Sequence, residues 1–256
     1  LVRSQESVTI MLHLLQDVPE DLVSSCLSKV VSSSAYHEAT FQNDVKRVQM
    51  LIRSGVDINQ RESTIRARDS RGLTAIMAAV MSKDSTLKMI ETLMKKGGNI
   101  NSKCNNGCTA LHYAAVSGNL KMVRFLINQG ANPNEKDKEG LTALHLAIRS
   151  KCIKTKIVEA LLDRGADPND IDDSGNYPIH VAINSGNVTV VKALLNKGAY
   201  FDAVDDSIDS PLDLARKTGN VKLITLLENN ILPDPIDETI ETNKQLNDLI
   251  QNKLCY

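Results

Sequence analysis

The chain has 256 residues, of which 42% are hydrophobic and 24% charged, a globular composition that argues against disorder along its whole length. Its formal net charge is -1, so no global field draws it to DNA, RNA or an anionic membrane. Aromatic residues make up only 3%, with no Trp, whereas Leu, Ile, Val and Ala are plentiful; that suits thin layers of packed helices better than one thick core.

In chain order, residues 5–16 and 20–31 are two amphipathic stretches parted by Pro19, so residues 1–34 are expected to form a helical pair. Such a pair either caps the repeating part of the chain or ends a preceding domain. From there to about residue 230 the glycines act as a ruler. One set reads Gly72, Gly107, Gly140, Gly175 and a second Gly97, Gly130, Gly165, Gly198; steps within each set are 33 or 35 residues, and each second-set glycine precedes the next first-set position by ten. Between them the text repeats: Leu73-Thr74-Ala75-Ile76-Met77, Cys108-Thr109-Ala110-Leu111-His112, Leu141-Thr142-Ala143-Leu144-His145 and Asn176-Tyr177-Pro178-Ile179-His180, with a degenerate version at Ser210-Pro211-Leu212-Asp213-Leu214-Ala215. A second apolar run comes after each, such as Val123 to Ile127 or Val158 to Leu162, and then a Gly-Ala-Asn/Asp-Pro-Asn terminator at 130–134 and 165–169.

These segments resemble the Thr-Pro-Leu-His-x-Ala signature of the ankyrin repeat family. The resemblance implies an all-α solenoid of helix-turn-helix pairs with β-turn or hairpin fingers. Units fall at about 35–68, 69–101, 102–134, 135–169, 170–202 and 203–230: about five full repeats plus a degenerate first unit, which lacks the signature but keeps Val48 to Ile52 and Gly55 to Asn59. Two-residue insertions near Ser82–Thr86 and Lys151–Lys156 lengthen inter-helix loops. The Thr is expected to cap the first helix, Ala114, Ala147 and Ala182 to let paired helices approach, and Gly130, Gly165 and Gly198 to end second helices with positive φ. Leu126, Leu162 and Leu195 are expected to fill the space between layers. Residues 231–256 are read as a tail or a short capping helix around 240–250.

Chemistry is sparse. His112, His145 and His180 recur once per unit, and in this family that His braces a turn; layers about 10 Å apart are too distant to share a metal. Cys104 and Cys108 bring two thiols into one turn, but zinc would need two more ligands, and a redox switch would need exposed thiols. Asp172-Asp173 and Asp205-Asp206 read better as solvated turn residues than as catalytic dyads. Asn101, Asn134 and Asn169 occupy a position that in this family can be hydroxylated; a turn-bonding role needs no enzyme. No phosphate-binding loop, nucleophile elbow or zinc-protease motif is present, so no catalytic residue, metal or cofactor is expected.

The ruler breaks once. From Gly55 to Gly72 is 17 residues, seven more than elsewhere, and this long finger carries Arg61, Arg66, Arg68 and Arg71. Such a finger could grip carboxylates or phosphates. At the far end Asp170, Asp172, Asp173, Asp202, Asp205, Asp206 and Asp209 reverse the sign, so the stack reads as bipolar, able to orient a partner or to self-associate weakly. By family position the remaining contact candidates are Asn105, Asn106 and Cys108; Lys138, Glu139 and Leu141; Leu73 and Asn176; and helix-face residues Met81, Val116, Arg149 and Asn184, with Asp173 and Asp206 in the acidic fingers. Leu73 and Leu141 are read as exposed finger-tip contacts.

The expected function is protein binding through a concave groove and finger tips, by a monomer or weak self-associator. The alternative is a substrate- or host-target-recruiting arm of a larger enzyme or effector; a chain that opens on Leu1 rather than Met fits a piece of something longer. Nucleic-acid binding is disfavoured by the neutral to acidic surface and few aromatics. Five scattered cysteines (Cys26, Cys104, Cys108, Cys152, Cys255) predict an intracellular, cytoplasmic setting with the nucleus left open. The apolar run from Val8 to Leu15 is far short of the ~20 residues that span a bilayer, so neither a signal peptide nor membrane insertion is expected.

Overall fold

The structure, a computed structural model, describes residues 33–61, 72–82, 86–150, 155–201 and 209–231. The readings of residues 1–32 and of the tail beyond 231 lie outside the described residues, as do the centres of both inter-helix insertions.

Twelve helices stand in six pairs among these residues: α1 (Ser33–Phe41) with α2 (Val45–Arg53), α3 (Ala75–Met81) with α4 (Leu87–Lys95), α5 (Ala110–Ser117) with α6 (Leu120–Asn128), α7 (Ala143–Arg149) with α8 (Thr155–Leu162), α9 (Pro178–Asn184) with α10 (Val188–Leu195), and α11 (Pro211–Thr218) with α12 (Val221–Ile231). The odd-numbered, inner helices pack against one another in a continuous row, and α6, α8, α10 and α12 form a second row against it. Helices of 7–11 residues are marginal alone, so each depends on its neighbours.

Local sequence sets each helix start. Thr74 and Thr142 accept from the N–H groups of Met77 and His145 at 3.5 Å, while Asp44, Asn119 and Asn187 cap outer helices at 3.0–3.1 Å. Pro178 and Pro211 open α9 and α11, where a missing N–H costs nothing.

Two columns of identical residues run through the stack and make its core. Ala39, Ala79, Ala114, Ala147, Ala182 and Ala215 are all buried at equivalent sites of the inner helices, where a larger side chain would force the layers apart. Leu51, Leu93, Leu126, Leu161, Leu194 and Leu227 are each 0% exposed on the outer helices. Leu126 stands in this column as expected, and Leu162 is also buried in the core, but Leu161 and Leu194 hold the equivalent sites and Leu195 is only half-buried. A spacing rule cannot choose within the paired leucines at 161–162 and 194–195. Ala39 and Leu51 keep both columns, so the first unit packs as a full layer despite lacking the signature.

The fingers are tight turns with no strand ladder among the described residues. Asp137 N–H donates to Leu141 O and Gly140 N–H to Asp137 O, and the same pattern recurs at Cys104–Cys108 and Asp172–Asn176. Successive fingers are bonded backbone to backbone, Lys138 N–H to Asn106 O and Asp173 N–H to Glu139 O, both at 3.0 Å. Gly140 is needed at that approach: its φ is +73°, and a Cβ there would lie 2.6 Å from Asp173 N.

Candidate partner-binding surface

The repeated polar residues are consumed by the scaffold. Thr109 and Thr142 donate their backbone N–H groups to Nδ1 of His112 and His145, and Tyr177 does so to His180, at 3.0–3.3 Å. An Nδ1 that accepts leaves the proton on Nε2, which donates across to the next layer: His112 to Leu141 O at 3.1 Å, His145 to Asn176 O at 3.3 Å, His180 to Asp209 O at 3.1 Å. Burial is the largest cause of a lowered pKa at all three, and both nitrogens of each ring are already engaged by backbone groups.

A second ladder uses Asn59, Asn101, Asn134 and Asn169. Each side-chain amide donates to the carbonyl of Gly97, Gly130, Gly165 or Gly198 in the next unit, and each Oδ1 accepts the N–H two residues beyond that glycine, at 2.7–3.2 Å. Lys103 and Lys136 make a third. Lys103 reaches Lys136 O and Glu135, and Lys136 reaches Ile171 O and Asp170, all within 2.8–3.1 Å. Both lysines stand two residues after a ladder asparagine, a one-per-unit spacing that is visible in the sequence.

Leu73 and Leu141, expected at exposed finger tips, are 8% and 3% exposed. Leu141 is drawn inward because its N–H is held by Asp137 Oδ1 and its carbonyl by His112. Cys108 and Asn176 stand at the same site of their own units and are half-buried. Cys108 Sγ faces Asp137 Oδ2 at 3.8 Å, while Asn176 bonds both oxygens of Asp172. Leu73 and Leu141 are thus corrected from exposed tip residues to buried ones, while Cys108 and Asn176 keep part of their surface open. Burial, with Cys104 and Asp137 adjacent, pushes the Cys108 thiol up to about 12, so a reactive thiolate is not available at neutral pH. Among the described residues no group of three or more His, Cys, Asp or Glu could hold a metal ion.

What remains outward-facing is variable from layer to layer. The site seven residues after each inner-helix cap holds Phe41, Met81, Val116, Arg149, Asn184 and Lys217 in successive units; Met81 is half-buried and the rest are exposed. Phe41 and Val116 are each 52% exposed, and Phe41 emerges as a candidate only once the first unit is aligned by its Asp44 cap. At the finger tips Asn105, Lys138 and Asp173 share one site and Asn106 and Glu139 the next, all exposed. Arg61 is exposed with Nη1 3.5 Å from Asn105 Oδ1. Arg66, Arg68, Arg71 and Asp206 lie outside the described residues. Of the expected acidic end, Asp170 pairs with Lys136 and Asp209 with Lys217, Asp172 binds its own turn, and Asp202 and Asp205, like Asp206, lie outside the described residues. No helix among the described residues is long and apolar enough to cross a membrane.

Comparison with known proteins gives the same frame. A model of ankyrin repeats matches three overlapping copies, at residues 36–137, 87–172 and 152–237. The chain is also 30% identical over 132 aligned residues to a mitochondrial disaggregase of Bos taurus, a match covering 38% of this chain and 18% of that protein. The chain therefore spans less than a fifth of that relative's length. With three copies of the repeat model covering its helical layers, and with the alanine, leucine, histidine and asparagine columns in register, this chain belongs to the ankyrin repeat family.

Proposed function

We propose that the stack is a protein-interaction module whose partner lies along the exposed ends of the inner helices and the finger tips. One observation carries the reading. Sites that hold the layers together repeat one residue type, whereas the outward site of the inner helices holds six different side chains on an equally regular frame. A regularly spaced row of exposed, differing side chains is a surface that a partner's side chains could read in register. Phe41, Met81 and Val116 offer an apolar half and Arg149, Asn184 and Lys217 a polar half, which sets a partner's direction along the stack. Arg61, Asn105, Lys138 and Asp173 would flank it.

A second reading, that the stack recruits targets for a larger protein, is favoured by the relative named as a disaggregase, most of whose length lies outside the match. Two thiols left unbridged at Cys104 and Cys108 support a reducing compartment, cytoplasmic or nuclear.

The test is affinity capture with three chains: the wild type, a variant of the proposed face (Val116→Asp with Arg149→Glu), and one of the outer helices (Arg124→Glu with Lys192→Glu). Loss of the same captured protein from the first variant alone supports the reading. Equal capture by all three, or loss from the outer variant alone, contradicts it.

A further inference from the structure

A cleft of about 450 Å³ lies between fingers in the first half of the stack, lined by Arg61, Lys103, Asn105, Lys136, Asp137 and Lys138 among others. Its one carboxylate is engaged by two fingers: Asp137 Oδ1 accepts the N–H groups of Glu139 and Leu141 at 2.9 Å, and Oδ2 faces Cys108 of the preceding finger. The acids that pair with the two ladder lysines, Glu135 and Asp170, and the tip residue Glu139 are not part of the lining. Lys103 and Lys136 keep 40% and 38% of their side chains exposed despite those pairs. Four cations thus line one concavity.

The pattern stops there. The site held by Arg61, Lys103 and Lys136 is Ile171 in the next unit, and the site of Lys138 becomes Asp173. The positive cleft is therefore a local feature of this part of the chain and not a property of every finger.

We propose that this cleft receives the carboxylate side chains of an acidic, extended segment of the protein partner, a reading that rests on the interaction role above. Cations spaced along consecutive fingers match carboxylates spaced along an extended chain, and a concave setting strengthens such pairs relative to a flat surface.

The experiment uses the full chain and a fluorescein-labelled peptide of six consecutive glutamates, read by anisotropy at low salt. Comparison probes are the six-glutamine peptide, an otherwise uncharged peptide with one phosphoserine, and a single-stranded oligonucleotide. The expected result is binding of the glutamate peptide, at least tenfold weaker binding of the glutamine peptide, and about a tenfold loss for Arg61→Gln with Lys138→Gln. Lys121→Gln on an outer helix should leave affinity unchanged, and far-UV circular dichroism should be the same for all. Amide resonances of Lys103, Asn105 and Lys138 should shift on titration. Equal binding of the two peptides, tighter binding of the phosphopeptide or oligonucleotide, or no binding overturns the cleft assignment. Shifts centred on Val116 and Arg149 instead would also overturn it while leaving the wider interaction face standing, which the capture experiment decides separately.

Discussion

Acidification from about pH 7 to about pH 5 should destabilise the stack steeply, because its three signature histidines are folded as neutral rings. A proton added to Nδ1 of His112, His145 or His180 would set an N–H against the backbone N–H that now donates to it. Burial is the largest cause of the lowered pKa at each ring. In the unfolded chain these rings titrate near the ordinary ~6.5, so below that value the unfolded state binds more protons. Stability is therefore complete above about pH 6.5, falls as pH drops, and levels once the folded pKa values are passed. Each ring contributes at most about 1.4 kcal/mol per pH unit, so three give a limiting slope of about 4. Folded domains have only about 5–15 kcal/mol in total, which makes the effect large. Glu135 and Asp163 are held low by Lys103 and Lys197, and their share is lost only below the ordinary carboxylate range, leaving the window above about pH 5 to the histidines. Urea midpoints by far-UV circular dichroism at several pH values would measure the slope, and His145→Gln should reduce it by about a third. A midpoint flat across the window, or a slope unchanged in the variant, would refute the tautomer argument.

Gly140→Ala should cost about 3 kcal/mol or more, against about 1 for Gly165→Ala, because both have positive φ but only Gly140 meets its neighbour finger; paired melting curves would show the gap. Asn134→Ala removes a donor to Gly165 O and an acceptor for Asp167 N–H and should lower stability by about 1–3 kcal/mol in urea titrations. Leu141→Ala should behave as a core truncation, costing about 2–4 kcal/mol; a variant as stable as wild type but deficient in partner binding would restore the finger-tip reading.

The fold was legible because a solenoid writes its period into the sequence: Gly107 and Gly140 must sit where fingers meet, and His112, His145 and His180 must reach the next layer. Direction was harder to read than position. Leu73 and Leu141 come directly after the finger glycine and looked like tip residues, yet the turn closed by Gly140 N–H and Leu141 O folds that site inward. The pull on Leu141 comes partly from His112, 29 residues away, and such a contact leaves no trace in local spacing. Phe41 was hidden for a different reason, since its unit lacks the signature that would align it. Lys103 and Lys136 carried a period, but hydrophobic patterning gives no weight to lysines.

Which side of the stack meets the partner is tested most directly by hydrogen–deuterium exchange of the chain with and without the captured protein. Protection should gather in the finger segments 104–108 and 137–141 and at the inner-helix ends near Val116 and Arg149. Protection confined to the outer helices α6, α8 and α10, with the fingers unchanged, would contradict it.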